Sequence, residues 1–217
     1  LISKDIDILE KANLYAIIDF RDPKEIKKAP DNLSPNLSKK YVNLPISAST
    51  LGRMVTQKNI EGDNINTYEK VMEASYKLYI NEHKHIWKEF INILLNSNKK
   101  PVIFHCTAGK DRTGIASFII QKILDNPMDE IYKNYLLSNN LLTIKAATAE
   151  QTTTSKTNDN LITDIMLETL AKVKKSYLLS AFNQIKLKHQ SLEGYLIEGL
   201  GFQHSDISQL KKLYCYE

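Results

Sequence analysis

The sequence predicts an α/β fold in which a central, mainly parallel sheet is flanked by helices. Two segments, 14–20 and 101–104, are apolar at nearly every position, which is typical of parallel strands covered on both faces. Segments with apolar residues at helical spacing stand between and after them. Strands that alternate with helical segments favour a parallel sheet with helices on its two sides.

The composition is that of one globular domain. The chain has 217 residues, 42% of them hydrophobic, which is enough for one substantial core and short for two. We therefore predict a single domain over residues 1–217. The net charge of +4 indicates a mild preference for anionic partners, and the lack of a basic patch interleaved with aromatic residues argues against nucleic-acid binding.

Targeting signals are not apparent in the sequence. It shows neither a secretory signal nor an apolar stretch of membrane-spanning length, so we expect a soluble protein, cytoplasmic or secreted. The first residue is Leu1 and not methionine, which leaves an upstream signal open. The two cysteines, Cys106 and Cys215, make no disulfide framework.

The N-terminal part is predicted to hold two strands and a lid. A helix over residues 5–13 leads into the strand at 14–20, which ends in Arg21-Asp22-Pro23, and a second strand follows at 41–46. Binding and catalytic sites in parallel sheets form at the ends of strands, where these polar residues are expected to lie. Residues 47–66 lack clear periodicity and mix charged with apolar side chains, so we predict a lid beside the site there.

The middle of the chain is predicted to be mostly helical. Apolar residues recur at helical spacing from about residue 67 to residue 96, which predicts one long amphipathic helix. After the strand at 101–104, apolar residues between 115 and 124 predict a helix buried nearly all round. Asn126-Pro127 with acidic residues behind it is typical of a helix start, and that helix should reach about residue 139.

The C-terminal part is predicted to be a polar linker followed by helices. Residues 143–160 have few apolar groups and a run of threonines, which favours a solvated linker. Helical periodicity returns from 161 to 189, and Ser205-Asp206 begins a capped final helix. We expect residues 161–217 to pack on the core.

One motif carries the chemistry. It reads HCTAGKDRTG from His105 to Gly114 and lies between the strand at 101–104 and the following helix. A thiolate at Cys106 is a nucleophile, and Arg112 is a planar, permanently charged fork for two oxygens of a tetrahedral anion. The loop also adjoins a helix N-terminus, whose free N–H groups favour anions. The pattern predicts attack of Cys106 on a bound phosphoryl group.

The other residues of the motif support this chemistry. Phosphoryl oxygens are expected to meet the backbone of Thr107, Ala108, Gly109 and Lys110. Gly109 permits the sharp curvature that this requires. The hydroxyl of Thr113 can donate a hydrogen bond to the cysteine sulfur. His105 is expected to orient the loop, although packing at the end of the strand accounts for a histidine at this position equally well. Since the guanidinium and the N–H groups neutralise the phosphoryl charge, neither a metal nor a cofactor is expected.

The complete motif resembles the loop of the bacterial atypical tyrosine and phosphoinositide phosphatases, a branch of the cysteine-dependent phosphatase superfamily. Three further stretches are similar to that family: residues 17–21 with Glu25, residues 135–139 and residues 194–201. The Asn-Phe-Arg-Asp-like segment that usually precedes the family's first strand is absent. The resemblance implies the cysteine-phosphatase fold, like that of dual-specificity phosphatases, with extra C-terminal helices.

The resemblance also implies an activity. It is the hydrolysis of phosphate monoesters through a phosphocysteine, with phosphotyrosine as the main substrate and with phosphoinositides, phosphoserine and phosphothreonine beside it. The expected partners are phosphorylated proteins or phosphoinositides and inorganic phosphate, with transient membrane contact only if lipids are substrates. Two alternatives stay open: a phosphatase of inositol polyphosphates or nucleotides, and a phosphate-binding module without catalysis.

The general acid has three candidates. In dual-specificity phosphatases an aspartate follows a strand like that at 41–46, but serine and alanine stand there in this chain. Asp111, which is characteristic of the resembled family, can reach the leaving oxygen if it points into the pocket, and Asp63 and Asp22 compete with it. We favour Asp111, whose alternative role is to hold the loop by a salt bridge or hydrogen bond.

Three more residues bear on the substrate. In lipid-active cysteine phosphatases, a lysine at the position of Lys110 contacts inositol phosphates. The alternative is a solvent-facing lysine that only attracts anions. Arg21 and Asp19 either rim the substrate pocket or tie the first strand to the loop.

Overall fold

The computed structural model describes residues 2–47, 65–141 and 169–215. The predicted linker at 143–160 lies outside these ranges, and so does the predicted lid at 47–66 apart from its first and last residues. The candidate acid Asp63 lies outside them as well.

A parallel sheet forms the centre of the described region. It contains β1 (Ala16–Asp19), β2 (Tyr41–Asn43) and β3 (Val102–His105) in the order β2-β1-β3. The prediction of an α/β fold with a parallel sheet is confirmed, and β1 is fully buried. The residues of β3 are half-buried, so the prediction that this strand is buried on both faces is wrong. Within the described residues it stands at an edge, beside β1.

Helices surround the sheet. Before β3 they are α1 (Ser3–Lys11), α2 (Pro23–Lys28), α3 (Pro35–Ser38), α4 (Ile65–Glu82) and α5 (Lys84–Leu95). After β3 they are α6 (Arg112–Ile123), α7 (Met128–Leu136), α8 (Ser138–Leu141), α9 (Lys175–His189), α10 (Leu192–Gly194), which continues as a π-helical turn (Tyr195–Gly199), and α11 (His204–Tyr214). Helix α6 contributes buried apolar residues along most of its length, as its sequence predicts.

The single helix predicted over residues 67–96 is wrong, because the helix breaks at His83 into α4 and α5. The break has a packing reason. The indole of Trp87 is fully buried, and its N–H donates to the carbonyl of Tyr79 at 2.8 Å. That carbonyl lies in the last turn of α4, where carbonyl groups have no partner inside the helix. Both segments turn apolar residues to the core, so periodicity alone does not reveal the break.

An aromatic cluster joins the sheet to α5. Phe20, the residue after β1, is fully buried, and its ring centroid lies 5.5 Å from that of Phe90 and 5.7 Å from that of Trp87. Phe104 of β3 packs edge-on against Phe90 at 5.3 Å between centroids. Aromatic pairs stabilise a core by more than the burial of their surface area alone. The packing of these rings therefore stabilises the positions of the ends of β1 and β3.

The C-terminal helices pack on the same core. Helix α9 lies along α4, where the hydroxyl of Ser180 donates to the carbonyl of Glu73 at 2.9 Å. The hydroxyl of Tyr195 donates to the carbonyl of Ile80 at 3.0 Å. Both bonds satisfy buried hydroxyl groups, which would otherwise cost free energy.

Asn139 of α8 binds the backbone of Val173 in both directions. Its side-chain amide donates to the carbonyl at 2.9 Å, and its side-chain oxygen accepts from the N–H at 2.8 Å. The pair joins the end of the second described range to the start of the third. The chain on either side of residues 142–168 is therefore fixed by one side chain.

A buried polar cluster closes the carboxyl end of β1. The carboxylate of Asp19 accepts from the Arg21 guanidinium at 2.8 Å and from the Tyr41 hydroxyl at 2.7 Å. The same guanidinium donates to the carbonyl of Ala29 and to Asp31. Burial alone would raise the pKa of Asp19, but the bonds from Arg21 and Tyr41 outweigh it and hold that pKa below its usual value. The cluster ties β1 to β2 and to the loop after α2.

We expect Asp19→Asn to destabilise the fold by about 3 kcal/mol, the lower end of the cost of breaking a buried ion pair, because Arg21 loses its buried charge partner and keeps only the more exposed Asp31. Tyr41→Phe, which removes one hydrogen bond, should cost about 1–2 kcal/mol. The lowered folded-state pKa of Asp19 means that its contribution is present above the unfolded-state pKa and is lost as the pH falls through the folded-state value. Urea unfolding at neutral and acidic pH measures both effects, and equal stability of Asp19→Asn and wild type at neutral pH would contradict them.

Candidate active site

The loop between β3 and α6 holds Cys106 at the carboxyl end of the sheet. Residues 106–111 form the connection. The first hydrogen bond of the helix runs from the N–H of Gly114 to the carbonyl of Lys110. Gly109 has a φ of +67°, and a Cβ there would meet nothing within 4 Å. The backbone conformation, and not a lack of space, therefore requires this glycine.

The sulfur of Cys106 lies against the first turn of α6. The residue is 6% exposed, and its Sγ accepts a hydrogen bond from the hydroxyl of Thr113 at 3.2 Å. The N–H groups of a first helical turn have no partners inside the helix and carry partial positive charge. This is the electrostatic setting that an attacking sulfur anion needs, and the structure brings the two residues together as the sequence predicts.

Arg112 is buried and binds Glu25 as a fork. Its Nη1 donates to one oxygen of the carboxylate and its Nη2 to the other, both at 2.7 Å. Paired, charge-assisted bonds of this kind are among the strongest in proteins. Burial alone would lower the pKa of Arg112, but the Glu25 carboxylate raises it above its usual value, so the guanidinium stays charged.

Backbone carbonyls and a hydroxyl also hold this guanidinium. Nη1 of Arg112 donates to the carbonyls of Ile46 at 3.1 Å and Phe20 at 3.3 Å, and Nη2 donates to the hydroxyl of Thr107 at 3.3 Å. Its Nε makes no hydrogen bond with any described residue. A guanidinium offers two edges that each bind two oxygens. Since Glu25 takes the Nη1–Nη2 edge, the Nε–Nη2 edge is the one that suits a tetrahedral anion, whose oxygen would replace the Thr107 hydroxyl at Nη2.

Glu25 is placed by the first turn of α2. Asp22 caps this helix, accepting from the N–H groups of Lys24 and Glu25, and the Glu25 carboxylate accepts from the N–H of Asp22 at 2.8 Å. The two residues thus form a reciprocal capping box. Glu25 also accepts from the hydroxyl of Thr107 in the loop. Burial alone would raise the pKa of Glu25, but Arg112, Thr107 and the Asp22 N–H together lower it.

The contact of Glu25 with Arg112 is not predictable from the sequence. The Asp-x-x-Glu spacing at residues 22–25 is a recognisable helix start, and it places a carboxylate near the carboxyl edge of the sheet. The sequence contains no signal that pairs this carboxylate with Arg112, because the two residues are 87 positions apart.

Asp111 and Lys110 bind each other at the end of the loop. Nζ of Lys110 donates to Oδ2 of Asp111 at 2.7 Å, and the hydroxyl of Tyr76 donates to Oδ1 at 2.7 Å. Lys110 is 4% exposed, so the alternative of a solvent-facing lysine is wrong. The Asp111 side chain is 22% exposed, which leaves it open to a bound ligand.

Asp22, another candidate acid, is engaged as a helix cap. Its Oδ1 accepts from the N–H groups of Lys24 and Glu25 at 2.9 and 3.1 Å. Asp63 lies outside the described residues. Asp111 is the candidate that the described structure places within the loop itself.

His105, Asp31 and Asp19 bring potential metal-ligating atoms within 4.8 Å of one another. The guanidinium of Arg21 donates to both carboxylates, so a protein cation already supplies positive charge between them. Nε2 of His105 lies 3.5 Å from Asp31, and its Nδ1 lies 3.3 Å from the carbonyl of Cys106. His105 therefore links this cluster to the loop.

Arg21 and Asp19 are both buried. Each nitrogen of the Arg21 guanidinium donates to a protein acceptor, namely the Asp19 carboxylate, Asp31 or the carbonyl of Ala29. These contacts join the first strand to its neighbours, and the two roles considered for Arg21 and Asp19, rimming the pocket or tying the first strand to the loop, stay predictions.

A family model and two of the relatives below match this chain over nearly its whole length, and a third relative matches one third of it. A family model described as the tyrosine phosphatase family matches residues 1–216. A Cupriavidus necator protein provisionally named a tyrosine-protein phosphatase is 26% identical over 97% of this chain and 73% of its own length. The triple specificity protein phosphatase of Mycobacterium tuberculosis is 20% identical over 94% of this chain and 83% of its own length. The inositol diphosphatase of Saccharomyces cerevisiae is 28% identical over 33% of this chain and 25% of its own length.

The family match spans the sheet, the loop and the surrounding helices together. In the described ranges, none of the helices combines the length and the apolar character that crossing a membrane requires. The resemblance first seen in the loop is confirmed over the chain as a whole. This chain is a cysteine-dependent protein phosphatase and belongs to the tyrosine phosphatase family.

Proposed function

We propose that the protein hydrolyses phosphotyrosine in proteins through a phosphocysteine intermediate, with phosphoserine, phosphothreonine and phosphoinositides as further substrates. One observation carries the proposal. The sulfur of Cys106 accepts from Thr113 in the first turn of α6, and that turn begins with Arg112, a buried guanidinium with an edge suited to a tetrahedral anion. Nucleophile, helix N-terminus and anion fork thus meet at one loop.

In the first step the Cys106 thiolate attacks phosphorus in line with the leaving oxygen. An S–P bond forms as the P–O bond breaks, and Asp111 gives its proton to the departing oxygen. The Nε–Nη2 edge of Arg112 holds two equatorial oxygens, and the loop N–H groups hold the rest, in the ground state and in the transition state. Glu25 keeps the guanidinium fixed before the substrate binds. No free energy is therefore needed to order the guanidinium as the reaction occurs.

In the second step water attacks the phosphocysteine. The Asp111 carboxylate takes a proton from that water, an O–P bond forms, and the S–P bond breaks to release inorganic phosphate. Negative charge returns to the sulfur of Cys106, where the hydroxyl of Thr113 donates a hydrogen bond at 3.2 Å. The hydroxyl therefore stabilises the leaving thiolate.

Phosphoinositides are proposed as substrates because of Lys110. Its ammonium group lies beside the loop, paired with the Asp111 carboxylate at 2.7 Å, and it brings to the site a second cation that one phosphoryl group does not need. The Mycobacterium tuberculosis relative is named for triple specificity, and the yeast relative is named an inositol diphosphatase. A metabolite phosphatase would use the same loop, so the substrate panel below must include soluble inositol polyphosphates.

We expect Cys106→Ser to abolish turnover and to retain phosphate binding, because serine preserves the cradle and lacks the nucleophilic sulfur. Phosphate release is measured without metal from phosphotyrosine and phosphoserine peptides, short-chain phosphoinositides and inositol polyphosphates. Release from the peptides shows a protein phosphatase, and equal rates on phosphoinositides support the broader specificity. Release from inositol polyphosphates alone would favour the metabolite alternative, and wild type that binds phosphate but hydrolyses none of these would favour the binding module.

We expect Glu25→Gln to lower kcat/KM about 10-fold to 100-fold, the range of a lost bond between charged groups. The neutral amide loses the charge that holds Arg112, while it still fits the space. Steady-state kinetics on a phosphotyrosine peptide and phosphate affinity by calorimetry give the effect. Glu10→Gln on α1, an exposed carboxylate that accepts from Ser34, is the matched control, and equal kinetics in the two variants would contradict the role of Glu25.

We expect Asp111→Asn to slow poor leaving groups far more than good ones. General acid catalysis contributes about 10²- to 10⁴-fold, and alkyl phosphates need it while p-nitrophenyl phosphate needs little. The measurement is kcat across a series of aryl and alkyl phosphates. A uniform loss along the series would show that Asp111 only holds the loop, which is the alternative considered for it.

A further inference from the structure

Asp111 lies at the end of a chain of buried tyrosine hydroxyls. Oδ1 of its carboxylate accepts from the hydroxyl of Tyr76 at 2.7 Å, and that hydroxyl lies 2.6 Å from the hydroxyl of Tyr135. Tyr76 is 0% exposed and Tyr135 is 5% exposed. Neither residue belongs to the loop, and neither has a role in the mechanism described above.

The hydrogens of this chain have one consistent direction. A tyrosine hydroxyl carries a single hydrogen, and that of Tyr76 is donated to Asp111. In the short contact between the two tyrosines, Tyr135 must therefore be the donor and Tyr76 the acceptor. With this assignment each hydroxyl has a hydrogen-bond partner. The row of hydrogen bonds ends on the Asp111 carboxylate, the strongest acceptor present.

Both hydroxyls keep their hydrogen at working pH. Burial, reinforced by the negative charge of Asp111, raises the pKa of Tyr76 and of Tyr135 well above the usual value. The two phenols are thus fixed donors and do not exchange protons with the carboxylate during turnover.

Three helices build this arrangement around the loop. Tyr76 belongs to α4, Tyr135 to α7, and Gly114 to the first turn of α6. A Cβ at Gly114 would lie 2.8 Å from Cε2 and 3.0 Å from Cδ2 of Tyr135. The glycine therefore leaves the space that lets the Tyr135 ring reach Tyr76.

We propose that Tyr76, supported by Tyr135, is a positioning residue that reserves Oδ1 of Asp111 as an acceptor, so that Oδ2 carries the catalytic proton. This inference rests on the proposed function, in which Asp111 is the general acid. In the first step the proton leaves Oδ2 for the departing oxygen as the P–O bond breaks, and in the second step Oδ2 takes a proton from water.

The second oxygen is suited to this role. Oδ2 accepts from Lys110, and a carboxyl oxygen has a second lone pair that can hold a proton. Oδ1, in contrast, accepts from the hydroxyl of Tyr76, which is fully buried and keeps its hydrogen. The tyrosine pair thus fixes both the rotation of the carboxyl group and the identity of its reactive oxygen.

The test compares Tyr76→Phe with wild type across good and poor leaving groups. We expect kcat on alkyl phosphates to fall about 10-fold, the scale of a lost hydrogen bond to a charged group, with kcat on p-nitrophenyl phosphate and phosphate affinity nearly unchanged. Tyr135→Phe should have a smaller effect of the same kind, because it acts through Tyr76. Thermal unfolding of each variant shows whether the fold is intact.

Tyr177→Phe is the matched control. Its ring packs against that of Tyr76 at 5.8 Å between centroids, and its buried hydroxyl has no hydrogen-bond partner among the described residues. We expect its kinetics to equal those of wild type for all leaving groups. A loss in Tyr177→Phe like that in Tyr76→Phe would assign both effects to packing and overturn the proposal.

The decisive comparison adds Tyr76→Phe to Asp111→Asn. If the tyrosine acts through Asp111, the double variant should be no slower on alkyl phosphates than Asp111→Asn alone. A further 10-fold loss, or an equal loss on every leaving group, would overturn the inference. If Asp111→Asn itself slows all substrates equally, the inference falls, while hydrolysis by wild type and not by Cys106→Ser leaves the phosphatase standing. Failure of wild type to hydrolyse any substrate would instead refute the proposed function.

Discussion

The position of the Arg112 guanidinium is the constraint on which the site depends. It is bonded to groups that follow each strand of the described sheet: the carbonyl of Phe20 after β1, the carbonyl of Ile46 after β2 and the hydroxyl of Thr107 after β3. Glu25 completes its surroundings from α2. A buried charge costs free energy unless its bonds are made. The same hydrogen bonds therefore hold the ends of the three strands together and fix the position of the Arg112 guanidinium.

Two polar clusters hold the loop from different sides. Asp19, Arg21 and Asp31 reach it through His105, the residue before Cys106. Tyr76 and Tyr135 reach it through Asp111, the residue before Arg112. A loop that is bonded at its entry to Asp31 and at its exit to the buried Tyr76 has less freedom to rearrange than a loop without such bonds. This preorganisation is what catalysis by positioning requires.

The sequence predicts those parts of the molecule that are local in the chain. Cys106, Arg112 and Thr113 lie within one motif, and their spacing on a strand–loop–helix unit determines the contact between sulfur and hydroxyl. The strands of the parallel sheet are predictable because each is a continuous apolar run in the sequence. How far β3 is buried depends instead on the elements that pack against it, and it is half-buried. The break at His83 escapes prediction because a buried indole, not the local pattern, produces it.

The supporting residues escape prediction because they come from distant parts of the chain. Tyr76 lies 35 positions from Asp111 and 59 from Tyr135. In the sequence, both tyrosines belong to the apolar face of a helix. The partners of their hydroxyl groups are determined only when the helices pack together. Glu25 has a local signal as a helix cap, yet its partner is likewise distant.

The pair formed by Asn139 and Val173 has a consequence for the engineering of this chain. It holds two residues that are 34 positions apart in sequence next to each other. One side-chain amide makes both bonds, and Val173 is buried, so a side chain that cannot both donate and accept would leave a backbone group of Val173 without this partner. Asn139 is therefore a position to leave unchanged when the surface of this region is redesigned.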